Sequence, residues 1–462
     1  MNILNVTSET LPFSKSGGLA DVVASLSSAL SKKHTVKIIM PFYGFIKDDG
    51  FTQIDKFKIE MLGKNEEVNL YSTYVDKVEY IAVSHPLFRQ RNGIYGADSF
   101  APYPDNSYRY LLFCKAVEYM VNNSSIKYDI VHAHDWTCGF ICKLIKDIKT
   151  VFTIHNLAYQ GVFSAFDILR ANIKPDDLMI MDNNLNMLKT GLEYANIITT
   201  VSKTYAEEIK GAKFGCGLNH ILVQREKDLY GILNGIDECE WNPETDKLID
   251  YNYSSKDLSG KAKMKALIQK RYGLEVDKDI PLITMISRIA IQKGFEELLV
   301  GQEVTLESVL KDNNAQFIIL GTGDEKYIKR LRNLEEKYNN LKVLIDFDNK
   351  LSHELEACAD MFLMPSRYEP CGLNQLYSLK YGTLPIVHST GGLKDSIIDL
   401  NDKGNGFIFD NLSSFVLLSN IRRAIDTYIN KREDFNTGVQ RAMSSNFSWD
   451  SSAIEYEKIY HL

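Results

Sequence analysis

Ile3-Leu4-Asn5-Val6, then Leu19-Ala20-Asp21-Val22-Val23-Ala24-Ser25-Leu26-Ser27-Ser28-Ala29-Leu30, then Val36-Lys37-Ile38-Ile39-Met40 follow one another at the start of the chain. The first and third are short apolar runs. The second carries Leu19, Val22, Val23, Leu26 and Leu30 at helical spacing on one face. Together they read as strand, helix, strand. Further apolar runs at 129–133, 150–154 and 196–201 are continuous rather than alternating, as in parallel strands covered on both faces. Trp241-Asn242-Pro243 breaks the pattern, and a polar stretch, 244–260, follows. A helix over 261–272 and a strand over 281–286 restart the alternation. Strands are predicted at 316–320, 343–345, 361–364 and 385–387. The expected class is α/β: two doubly wound domains, 1–243 and 244–447, with ligands beyond the carboxyl ends of the strands, in the cleft between domains.

Composition bounds the function. The 462 residues suit two to three domains. At 45% hydrophobic and 24% charged, the chain is globular rather than disordered or fibrous. A net charge of -7 argues against a nucleic-acid or membrane-surface partner, and neither is expected. The stretch Met1-Asn2-Ile3-Leu4-Asn5-Val6-Thr7 has no cationic region, and no apolar run approaches about 18 residues, so a cytoplasmic location is expected. Seven cysteines, an odd number, suit reduced and mostly buried thiols. Cys138 and Cys142 have no matching second pair, so no zinc site is expected.

Five motifs carry chemistry. Lys15-Ser16-Gly17-Gly18-Leu19-Ala20-Asp21 lies between the first strand and its helix. Two glycines let backbone N–H groups approach an anion, and Lys15 adds charge; a plain strand-to-helix turn would use the same glycines. The glycine fingerprints of dehydrogenases and P-loop enzymes are absent. His132-Ala133-His134-Asp135-Trp136 ends a strand and offers hydrogen-bonding groups for sugar hydroxyls; a satisfied core histidine is the competing reading. In Thr153-Ile154-His155-Asn156-Leu157-Ala158-Tyr159-Gln160-Gly161, His155 suits a proton shuttle or a hydrogen-bonding role. Asn234-Gly235-Ile236-Asp237 reads first as a turn.

In the second half, Arg288 and Lys293 of Ser287-Arg288-Ile289-Ala290-Ile291-Gln292-Lys293-Gly294 can clamp a diphosphate, or simply be solvated. Gly321-Thr322-Gly323-Asp324 is a related glycine loop. Pro365-Ser366-Arg367-Tyr368-Glu369-Pro370-Cys371-Gly372-Leu373 follows a strand and opens a helix at about Gly372. Its Glu369 suits a substrate hydroxyl or developing positive charge at a sugar carbon. Cys371 lacks a nearby histidine and does not suit a nucleophile.

These motifs, in this order and across nearly the whole chain, resemble the bacterial glycogen synthase and plant starch synthase family. The closing Phe447-Ser448-Trp449, with Tyr456 and Tyr460, is also similar to that family's end. The resemblance implies a GT-B fold of two Rossmann-like domains, with the last helix, 448–462, returning to the first domain. It implies retaining transfer of glucose from ADP-glucose to the non-reducing 4-hydroxyl of an α-1,4-glucan, without cofactor or metal. It assigns catalytic roles to Glu369, His155, Asp135, Arg288 and Lys293. It assigns donor binding to Lys15, Gly17, Gly18, Asp21, Asn156, Asn234, Gly321, Cys371, Gly372 and Leu373, and an adenine-stacking position to Phe347. Retention by double displacement needs a nucleophilic carboxylate and an acid/base partner, and no motif offers that pair; position 377, after Glu369, is Tyr. Front-face attack assisted by the leaving phosphate is therefore expected, in a cleft that closes on the donor.

Overall fold

The computed structural model describes residues 1–97, 101–301, 304–346 and 348–462. They form two compact units, Met1–Asn234 with Trp449–Leu462, and Gly235–Ser448.

The first unit is built on a nine-stranded sheet among the described residues. Its order is Leu229–Gly231, Ile197–Thr200, Lys149–Ile154, Ile130–His134, Asn2–Val6, Thr35–Pro41, Val78–Ser84, Lys64–Val75 and Thr52–Met61. The central strands pair in parallel and are buried almost throughout, which is why they read as unbroken apolar runs. Lys64–Val75 instead pairs antiparallel with both neighbours, and the outer strand Thr52–Met61 leaves much of its length exposed. The helix Gly18–Leu30 turns Leu19, Val22, Val23, Leu26 and Leu30 into the core. The chain's last helix, Trp449–Tyr460, packs beside it: Trp449, Tyr456 and Tyr460 share a cluster with Ile3, Val22, Leu26 and Leu30. Lys32 pairs with Asp450 at 2.6 Å across that contact.

Among the described residues the second unit holds a six-stranded parallel sheet: Leu341–Leu344, Gln316–Leu320, Leu282–Ile286, Met361–Met364, Leu384–His388 and Phe407–Phe409. Numbered within the unit this is the order 3-2-1-4-5-6 of nucleotide-binding doubly wound sheets. The stretch that interrupts the sequence pattern is not a loose linker. The Trp241 ring is buried between His353 and Tyr377, at centroid distances of 3.7 and 3.8 Å. Asp246 accepts hydrogen bonds from His353 at 2.8 Å and the Tyr381 hydroxyl at 2.6 Å. Burial alone would raise its carboxyl, yet these bonds hold it below the usual carboxylate range. No disulfide forms; Cys216 and Cys239 are exposed and the other cysteines buried. Among the described residues no helix is long and apolar enough to cross a membrane.

Candidate active site

In a doubly wound sheet, the two strands at which the winding reverses send their loops apart, and the gap between those loops is where ligands bind. In the first unit these strands are Asn2–Val6 and Ile130–His134. The loop after Asn2–Val6 carries the first motif. Lys15 Nζ lies 2.8 Å from Asp21 Oδ1, so these two candidates pair with each other, with side-chain exposures of 43% and 20%. Gly17 caps the helix in extended backbone, and a Cβ there would meet nothing within 4 Å.

Glu9, which lies outside every motif, organises this loop. It is 2% exposed, and its carboxylate accepts from the Ser16 N–H, the Ser16 hydroxyl at 2.9 Å, the Gly17 N–H at 3.3 Å and the Tyr95 hydroxyl at 3.1 Å. Burial raises its carboxyl despite these donors. The Gly17 N–H is thus committed to Glu9, which leaves the helix N-terminus from Gly18 onward to an incoming anion. The available signal was that Glu9 is the lone carboxylate between the first strand and the glycine pair.

The loop after Ile130–His134 begins at Asp135, in the left-handed region at φ +56°. Asp135 N–H donates to the Thr153 carbonyl at 3.0 Å, and its Oδ1 accepts from the His155 N–H at 2.8 Å. The Asn156 N–H adds a further bond to this carboxyl, while burial pushes it up to about 7. Adjacent strand ends therefore hold Asp135 and His155 together. The Asn156 side chain caps the same turn, accepting from Ala158 N–H at 3.1 Å. His132 is a core residue: its nitrogens meet the Tyr460 hydroxyl at 2.8 Å and Thr153 Oγ1 at 2.5 Å. Burial holds the imidazoles of His132 and His155 down at about 3 and that of His134 well below its ordinary value, so all three are neutral near pH 7. Asn234, the unit's last residue before the division, is buried, and its amide oxygen has no hydrogen-bond partner among the described residues.

In the second unit the winding reverses between Leu282–Ile286 and Met361–Met364. Their loops hold the fourth and fifth motifs, and the two loops interlock. Arg367 N–H donates to the Gln292 carbonyl at 2.8 Å. Gly294, at φ +82°, sits where a Cβ would come within 2.1 Å of the Pro365 carbonyl. Lys293 Nζ thereby reaches Glu369 Oε2 at 2.5 Å, and the Ser366 hydroxyl donates to the same oxygen at 2.9 Å. The pair is largely buried, at 14% and 9% side-chain exposure. Arg288 reaches Gln292 Oε1 at 3.2 Å. Gly321 lies against this loop, where a Cβ would be 1.8 Å from the Ser287 carbonyl. Cys371 is buried, and its carbonyl and that of Gly372 each accept from Gln375 Nε2 at 3.0 Å. Gly372 takes φ +71°, which no helix accommodates, so the helix begins at Asn374 rather than at Gly372, with Leu373 as its cap. Tyr377 packs on Trp241. Phe347, expected under the adenine, lies outside the described residues. A nearly buried cation and carboxylate, with an arginine on the same loop, can bind a diphosphate and offset positive charge on a neighbouring carbon.

The starch synthase catalytic domain model matches residues 2–224, and the glycosyl transferases group 1 model matches residues 268–441. A glycogen synthase of Treponema denticola is 39% identical, the alignment covering 100% of this chain and 98% of that protein. The chain belongs to the glycogen synthase family. A glycogen synthase of Streptococcus pneumoniae is 38% identical, with 100% and 99% covered. The catalytic domain of starch synthase IV from Arabidopsis thaliana, solved bound to ADP and acarbose, superposes with a TM-score of 0.88 at 30% identity, covering 99% of this chain and 98% of that one. Sucrose-phosphate synthase from Thermosynechococcus elongatus, at 16% identity and a TM-score of 0.60, shares the fold. This glycogen synthase relative is therefore a GT-B glycosyltransferase, acting on a nucleotide-sugar donor and a glucan acceptor.

Proposed function

We propose that the chain transfers glucose from ADP-glucose to the non-reducing 4-hydroxyl of an α-1,4-glucan, with retention at the anomeric carbon and release of ADP. The observation that carries this reading is the 2.5 Å contact between Lys293 and Glu369, residues 76 apart in sequence, on the interlocked loops of the second unit's reversal point. Lys293 and Arg288 neutralise the diphosphate as it leaves, one as a point charge and one as a fork. Glu369 offsets positive charge at the sugar carbon. Gly321, Cys371, Gly372 and Leu373 line the donor's bed in this unit.

In the first unit, Asp135 and His155 contact the transferred glucose, with Asn156 fixing their turn. Lys15, paired with Asp21, and the helix N-terminus from Gly18 onward face phosphate, and Asn234 offers the donor its amide oxygen, which has no partner among the described residues. Position 377, eight residues after Glu369, is Tyr rather than a second carboxylate, and its ring packs on Trp241. That supports front-face attack, in which the acceptor hydroxyl adds to the carbon as the C–O bond to ADP breaks and its proton passes to the departing phosphate. The test is to incubate the protein with ADP-glucose and glycogen, follow ADP release, and read the new linkage by proton NMR. ADP release with a new α-linkage is expected; a β-linkage, or trapping of a covalent glucosyl-enzyme, refutes the mechanism.

A further inference from the structure

A chain of buried polar atoms runs from the first helix to His155. Asn5 faces it from the first strand, in register with His132 on the neighbouring strand, and neither Asn5 nor His134 is exposed. Asn5 Nδ2 donates to the Ser27 hydroxyl at 2.9 Å. Its Oδ1 is then the atom that lies 3.2 Å from His134 Nε2. An amide oxygen has no proton to give, so the proton in that contact sits on His134 Nε2. A neutral imidazole carries one N–H, which makes His134 Nδ1 a lone pair. Nδ1 lies 3.1 Å from His155 Nε2, so His155 Nε2 is the donor there and His155 Nδ1 is left bare.

We propose that Asn5 and His134 are positioning residues that lock His155 in its Nε2–H form, presenting Nδ1 to the donor sugar as an acceptor. From the Asn5 amide oxygen onward each link fixes the next, because reversing one ring alone would set two N–H groups, or two lone pairs, against each other. The backbone that carries the ring is held as well, since the His155 main-chain N–H donates to Asp135 Oδ1 at 2.8 Å. A sugar hydroxyl meeting Nδ1 donates a hydrogen bond to the ring and keeps its oxygen lone pairs for other donors. The wrong tautomer would face that hydroxyl with an N–H instead. The proposal rests on the reading of His155 as a sugar-contacting residue, and His134, which its motif offers either to sugar hydroxyls or to the core, acts through His155 without touching substrate.

The experiment uses full-length protein labelled with 15N-histidine, in which two-bond proton–nitrogen correlations distinguish the two neutral tautomers. A His155→Gln variant assigns the His155 signals. Both His134 and His155 are expected as Nε2–H. His134→Leu removes the acceptor and is expected to release His155 into a mixture of tautomers and to lower kcat/KM for the donor by about tenfold, the worth of one hydrogen bond. His134→Asn sets an amide oxygen where Nδ1 was and is expected to recover both the His155 spectrum and most of the loss. Circular dichroism checks that each variant is folded. An Nδ1–H signal for His155 in the unmodified protein overturns the proposal, and so does a folded His134→Leu whose His155 spectrum is unchanged. Normal turnover in His155→Gln would instead overturn the sugar-contacting role while leaving the tautomer lock standing.

Discussion

Glu369→Gln removes one charge and almost no volume, so its effects separate chemistry from packing. In the protein, Glu369 Oε2 receives Lys293 at 2.5 Å and the Ser366 hydroxyl at 2.9 Å. The amide can still accept from Ser366 but offers Lys293 no negative charge. Orphaning one member of a fully buried pair costs about 3–5 kcal/mol. Lys293 keeps 14% side-chain exposure, so about 2 kcal/mol is expected here. For a unit of this size that is a drop of about 4–8 °C in its thermal midpoint. Adding Lys293→Met removes the stranded cation, and the double variant should recover much of the stability, an interaction that a double-mutant cycle reads directly. Activity behaves differently. A carboxylate that acts only on the transition state should cost about 10²–10³-fold in kcat, comparable to losing one oxyanion donor, with the donor KM little changed. ADP release with glycogen as acceptor measures this, and the double variant should not regain turnover. A Glu369→Gln protein with turnover within about fivefold of the parent would refute the charge-stabilising role. Additive stability losses in the cycle would refute the coupled pair.

Asp135→Asn should be more stable than the parent at high pH. The Asp135 carboxyl titrates at about 7 when folded and near its ordinary value when unfolded, so the folded chain retains a proton that the unfolded chain releases between those values. Its burden on stability therefore grows as pH rises through that window. The variant should gain about 1–2 kcal/mol at pH 8, once solvent screening of a partly exposed residue is allowed for, fading toward pH 4, with turnover reduced; urea melts at both pH values check this. His132 and His155 titrate the other way: folded values of about 3 mean the unfolded chain takes up more protons below pH 6.5. Stability should be lost as pH is lowered through that window, by up to about 1.4 kcal/mol per pH unit for each histidine, and His132→Gln should flatten the slope of the thermal midpoint against pH. Gly391→Ala should be severe, because φ is +45° and the new Cβ would lie 1.9 Å from the Glu369 carbonyl, whereas Gly17→Ala meets nothing within 4 Å. A loss of at least about 2 kcal/mol for the first and under about 0.5 for the second is expected from thermal melts.

The sheets were legible because parallel strands covered on both faces write continuous apolar runs, as at Ile130–His134 and Leu282–Ile286. The site loops were legible because polar groups follow those strand ends directly, Asp135 after Ile130–His134 and Arg288 and Lys293 after Leu282–Ile286. Thr52–Met61 and Lys64–Val75 were not, since their outer residues are exposed and polar and the sequence shows little apolar signal there. Trp241 marks a change in the pattern, but its partners His353 and Tyr377 are distant in sequence, and nothing local shows that its ring is sandwiched. Glu9 and Asn5 were invisible for a related reason. A lone carboxylate or amide acquires meaning only from the N–H groups and imidazole that folding brings to it, across a separation of 129 residues for Asn5 and His134. Lys15 and Asp21 were named as separate candidates, whereas the structure joins them in one ion pair.

A small cationic site on an otherwise acidic protein serves one nucleotide sugar, and a comparison of two donors shows which. With glycogen as acceptor, kcat/KM measured side by side for ADP-glucose and UDP-glucose should favour ADP-glucose, with both activities collapsing in Lys293→Met. Preference for UDP-glucose would contradict the donor assignment, and transfer that survives loss of Lys293 would contradict the site itself.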